Sequence, residues 1–194
     1  MLTSSVWRGT KNVNYFNHGL LLGGTASGLL LLLPAAAVQL LPLIVREVSL
    51  VIVVVLAVLC EVRIVPFRLP QNARQVPSSI MVRADGSGAL QFGFEMGTGL
   101  RTFVPTQLPY LLVALSLLIV PWWAAPMMGT CFGFGRTLMV RSAVSSGDAS
   151  QWDARFASHR RTIVALCWIA ALGALTVIVT VLPDSTLFAP LPFR

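Results

Sequence analysis

Long charge-free apolar runs alternate with short polar ones along this chain, and that alternation predicts its elements. Residues 1–18 are polar and carry Arg8 and Lys11, after which residues 19–45 hold no charge and read as a first membrane span. Residues 29–37 imitate the core and small-residue cleavage site of a signal peptide. The apolar character continues through Val45, however, so the segment reads as a span. Pro42 and Arg46-Glu47 mark a tight turn, and residues 48–65, rich in Val and Ile, form the second span. Glu61 and Arg63 stand near its end, where both can snorkel to the interface.

A polar loop follows at 66–86 with Arg68, Arg74 and Arg83. Residues 87–141 are apolar but broken by Gly and Pro, and a second polar loop at 142–161 carries Arg155, Arg160 and Arg161. Residues 162–182 are the last span and 183–194 a proline-rich tail. The expected fold class is all-α, a polytopic transmembrane helix bundle in one membrane domain, 1–194. If the amino terminus and both polar loops share the cytoplasmic side, an even number of crossings separates Arg83 from Arg141. Three candidate segments lie between them, so one does not cross fully. The piece from 87 to 109 is the natural one, giving five full spans plus one broken or re-entrant helix, with Trp122, Trp123 and the carboxyl terminus outside. Six spans are the alternative.

Composition narrows the class. The chain of 194 residues is 56% hydrophobic and 11% charged, against about 25% charged in soluble proteins. Its net charge of +7 is spread over short loops, as positive-inside bias spreads it, rather than striped along a soluble face as nucleic-acid binding requires. The partner is the lipid bilayer, with homo-oligomerisation or partner membrane subunits both open, and the expected location is the inner membrane of a bacterium. Cys60, Cys131 and Cys167 are isolated in apolar segments and read as packing residues. His18 and His159 read as interfacial. No nucleotide loop, nucleophile elbow or metal-ligand spacing occurs, so the sequence points to no enzyme active site, metal or cofactor.

The candidate site lies in residues 91–110. Glu95 and Arg101 interrupt an apolar stretch, and ionisable residues at membrane depth turn toward a protein interior or a wet cavity. On a helix Glu95, Thr98 and Thr102 share one face and Arg101 lies with Gly93 and Gly97 on another. A break at Gly97 and Gly99, continued by Pro105 and Pro109, lets Glu95 and Arg101 turn to one cavity. Arg136 joins as a further cation. The alternative role for Glu95 is an ion pair with Arg101 or Arg136 that locks the fold. Gly19/Gly23, Gly24/Gly28, Gly93/Gly97 and Gly129/Gly133 share the small-x-x-x-small spacing of tight helix packing.

From Phe92 to about Leu182 the order is a Gly-rich segment, a Thr/Pro break at residues 102–110, a short helix with Phe132-Gly-Phe-Gly-Arg136, and Arg160-Arg161 opening a last span. This resembles a half-repeat of the DsbD/CcdA-type membrane proteins, within a broader set that includes LysE- and TauE-like exporters. The resemblance implies broken helices around a central site. It does not carry over redox activity, because Thr102, Val104, Pro105 and Thr106 stand where those relatives have reactive cysteines. The expected function is therefore transporter- or permease-like, moving a small solute or ion through a site of Glu95, Thr98, Arg101, Thr102 and Arg136. A non-catalytic accessory subunit or assembly factor of a larger membrane complex is the alternative.

Overall fold

The computed structural model describes residues 10–65, 86–99, 106–147 and 149–181. Within them the chain forms α1 (Thr10–Val38), α2 (Leu43–Glu61), α3 (Ser87–Gly97), α4 (Leu108–Leu118), a 3-10 turn (Trp122–Ala124), α5 (Ala125–Ser145) and α6 (Ala149–Val181). Three helical segments are long and apolar enough to cross a membrane, Lys11–Val38, Leu43–Glu61 and Gln151–Ile178. The chain is thus all-α, with the multi-pass pattern of a membrane helix bundle. Leu33 (83% exposed), Leu30 and Ile44 illustrate the apolar surface these helices leave outward, which suits a lipid environment.

Several expected boundaries move. The helix expected to begin at Gly19 begins at Thr10, and Arg46-Glu47 lies inside α2, so the turn is shorter, at Gln39 to Pro42. Most of the second polar loop is helical, because α5 runs to Ser145 and α6 starts at Ala149. Polarity marked where the apolar surface ends, and the backbone continued past it. The apolar piece beginning at Tyr110 does not cross alone: α4 has eleven residues, about 16 Å of rise, half of a bilayer's hydrocarbon thickness.

The core of the first compact unit, residues 1–153, is built around α1. Its Gly19 and Gly23 meet the backbone of α3 at Leu90, Phe94 and Thr98, and Gly93 and Gly97 of α3 meet Phe16 and Leu20. Contacts advance together along both helices, so α1 and α3 are parallel. On another side of α1, Gly24 meets Gly129 and Gly28 meets Ala125, while Gly133 meets Leu20. That order is reversed, so α5 is antiparallel to α1. All four small-x-x-x-small pairs are therefore used in two seams, where the missing side chains bring backbones into contact. Phe16 and Phe92 close one end of the α1–α3 seam with ring centroids 5.4 Å apart, joined by Leu20 and Ala89. Residues from Ala154 onward form a second unit, of which the structure describes the rest of α6, exposed and apolar at Leu166, Ile169 and Val177.

Candidate functional site

Several polar side chains of the bundle are spent on the ends of α3 and α4. Gly86 opens α3 against Tyr15, and α3 ends where Ser27, midway along α1, donates from Oγ to the Thr98 carbonyl at 3.0 Å. At the far end of α4, Gln39 donates from Nε2 to the Val120 carbonyl at 2.6 Å and accepts the Trp122 N–H at 3.2 Å. The start of α3 thus lies by Tyr15, its end by Ser27 and the end of α4 by Gln39, in order along α1, over roughly 36 Å of helix rise.

Helix ends leave carbonyls and N–H groups without intrahelical partners, and in hydrocarbon each must be met by protein. Gly99, at φ +71°, carries the backbone out of α3 in the left-handed region. Across the seam Arg136 of α5 donates from Nη1 to the Met96 carbonyl at 2.9 Å, with its guanidinium 5.6 Å from the Phe132 ring centroid. A cation thus meets the negative end of α3. Pro109 was expected to break a helix; it lies instead in the first turn of α4, where a missing N–H costs nothing. The N–H of Gln107, just before that turn, donates to Glu61 Oε2 at 2.8 Å. An anion thus meets the positive end of α4. Glu61 consequently does not simply snorkel outward as expected. At the other end of α4 Arg46 Nη1 donates to the Leu118 carbonyl at 3.1 Å.

Of the residues expected to form the site, Glu95 and Thr98 are half-buried at the end of α3, and Arg136 reaches the backbone of the residue following Glu95. Glu95 lies two residues from both Gly93 and Gly97, so it projects on the side of α3 away from α1. The Thr98 hydroxyl donates to the Glu95 carbonyl at 2.8 Å, closing the last turn of α3. Arg101, Thr102 and Pro105 lie outside the described residues. Gly97 ends α3 as expected, and its position against Leu20 fixes the interruption to the α1 seam.

Sequence reading missed Glu61, Arg46, Ser27 and Gln39. Glu61 and Arg46 stand at the ends of an apolar run, which reads as interfacial, and only tertiary pairing with α4 reassigns them. Thr25 and Thr130, whose hydroxyls lie 2.8 Å apart across the α1–α5 seam, carried no sequence signal either. Cys131 and Cys167 are exposed and Cys60 half-buried, so two of the three cysteines are not core residues. Among the described residues no group of three or more His, Cys, Asp or Glu is placed to hold a metal. Comparison with family models, curated proteins and solved structures finds no match, so the site is read from its own geometry.

Proposed function

We propose that the chain is a small polytopic membrane protein of the permease type, binding a small solute or ion at the interruption between α3 and α4. The observation that carries this reading is that the carboxyl end of α3 and the amino end of α4, consecutive helices of the chain, are each answered by a side chain of opposite charge from another helix. Secondary transporters bind substrates at such discontinuous helices, where opened backbone and helix dipoles supply ligands. Glu95, Thr98 and Arg136 adjoin the end of α3, and Arg101 and Thr102 follow in sequence. The resemblance to DsbD/CcdA-type proteins belongs to this proposal as architecture only.

The same geometry supports a topology of five passes, α1, α2, α3 with α4 as one interrupted pass, α5 and α6. Two crossings then separate Arg83 from Arg141. The amino terminus and both arginine-rich segments lie in the cytoplasm, and Trp122 and Trp123, 42% and 51% exposed, sit at the outer interface of a plasma membrane.

A second reading, an accessory subunit of a larger membrane complex, is favoured by a specific observation: Arg136 and Glu61 are both engaged in closing helix ends, as a purely structural interruption requires. Water access separates the two. In a background with Cys60, Cys131 and Cys167 changed to Ala, Thr98→Cys is treated in proteoliposomes with a membrane-impermeant thiosulfonate. Modification from either side supports a binding site; complete protection from both sides, with the fold intact by circular dichroism, rejects it in favour of the accessory reading.

A further inference from the structure

Asn17 is 6% exposed, and neither Nδ2 nor Oδ1 of its amide has a hydrogen-bond partner. Both donor and acceptor of a buried amide are ordinarily satisfied, and a side chain that leaves both open inside a helix seam calls for a ligand. Its place in the fold follows from the antiparallel seam. Gly28 packs on Ala125, Gly24 on Gly129 and Leu20 on Gly133. One further turn sets Asn17 opposite Arg136 and Thr137. It shares the α5-facing side of α1 with Gly24 and Gly28, because residues three, four and seven apart stack on one helix face.

Its neighbours there do not answer it. Thr137, 5% exposed, donates its hydroxyl to the Phe134 carbonyl at 2.7 Å, and Arg136 Nη1 is directed to Met96. Backbone groups of the two helices are committed to their own ladders.

We propose that Asn17 is a polar binding position in the α1–α5 seam that holds a neutral ligand able to accept from Nδ2 and donate to Oδ1. Water and the hydroxyl group of a small solute share that chemistry. A cationic ligand is disfavoured, because the amide supplies no counter-charge and Arg136 stands opposite. The position lies on the amino-terminal side of the interruption and stands independently of any solute bound there.

The test uses the full chain, labelled with 13C and 15N, in detergent micelles. The Asn17 side-chain amide is assigned by through-bond transfer from its own backbone, so no variant is needed. Expected is a nuclear Overhauser cross-peak from the Nδ2 protons to the water line; transfer of that peak to glycerol protons when glycerol is added identifies a solute hydroxyl as the occupant instead. Cross-peaks only to protein and detergent aliphatic protons overturn the proposal. Asn17→Leu provides the independent check. If the amide is ligated, the substitution leaves the melting temperature unchanged or lowers it. A rise of several degrees means that an unsatisfied amide was removed, and overturns the proposal.

Discussion

Gly129 and Gly135 lie on the same helix, and replacing each by alanine should move stability in opposite directions. A methyl group at Gly129 would fall on the Gly24 carbonyl oxygen and come within 2.9 Å of Gly28 N and 3.0 Å of Gly28 Cα. All three are backbone atoms, so no rotamer change can relieve them, and α1 and α5 must part. A separation of about 1 Å forfeits a quarter to a half of each close contact's dispersion energy, and overpacking of a well-filled contact costs about 1–3 kcal/mol. Alanine's greater helix preference returns roughly 0.5–1 kcal/mol, leaving Gly129→Ala destabilised by about 1 kcal/mol at the middle of these ranges. At Gly135 nothing lies within 4 Å of the same methyl, so only the helix-preference gain of about 0.5–1 kcal/mol applies.

Reversible unfolding in mixed micelles, titrated with denaturing detergent, measures both. The two variants should differ by about 2 kcal/mol, roughly 30-fold in the unfolding constant. The double variant Gly24→Ala/Gly129→Ala adds a sharper condition. Both methyls strike the same crossing, so once the helices have parted the second should cost clearly less than the first. Equal shifts of the same sign at Gly129 and Gly135 would refute the backbone-contact account of the seam, as would strict additivity in the pair.

Three further outcomes follow from the helix ends. Arg136→Met keeps the apolar stem but removes the donor to Met96, and should lower stability by about 1.5–3 kcal/mol, the range for hydrogen bonds to charged groups, with amide exchange accelerating selectively at 96–99; uniform acceleration along α3 argues against a local cap. Glu61→Gln retains an acceptor for the Gln107 N–H and should cost less than Glu61→Leu, which leaves that N–H unmet at about 1–3 kcal/mol; equal losses in an unfolding titration would mean that the contact at 2.8 Å contributes nothing. For topology, single cysteines at Ala124 and Ser146 in the Cys-free background should react with an impermeant maleimide from outside at Ala124 alone, and the reverse pattern overturns the assignment of sides.

Periodicity and composition made the apolar helices visible because the bilayer demands some twenty apolar residues in a row, a signal that tolerates errors at the ends. The ends were indeed where reading failed, at Thr10, Leu43 and Ala149, since a helix continues into polar surroundings wherever its own ladder is satisfied. The four glycine pairs were recognisable as packing spacings. Which pair meets which is a tertiary fact, settled by α1 having two glycine faces, Gly19/Gly23 and Gly24/Gly28, turned to different helices. The interruption was legible from Gly97 and Gly99, whereas Pro109 misled, because proline marks a helix start as readily as a break.

Glu61 and Arg136 show why the candidate site was only half visible. Sequence reading weighs an ionisable residue against its neighbours in the chain, and asks whether it binds a ligand or pairs with another ion. Here the partners are helix ends: the Met96 carbonyl for Arg136 and the Gln107 N–H for Glu61. Those partial charges belong to the ends of α3 and α4, so neither residue's role exists before the two helices have been laid against α2 and α5. The dependence also runs the other way. Without a cation at the end of α3 and an anion at the start of α4, the Met96 carbonyl and the Gln107 N–H would lose the partners that meet them. The two charges and the helix ends they meet therefore act together, and under the proposed function a solute bound there must compete with, or add to, contacts the bundle already makes.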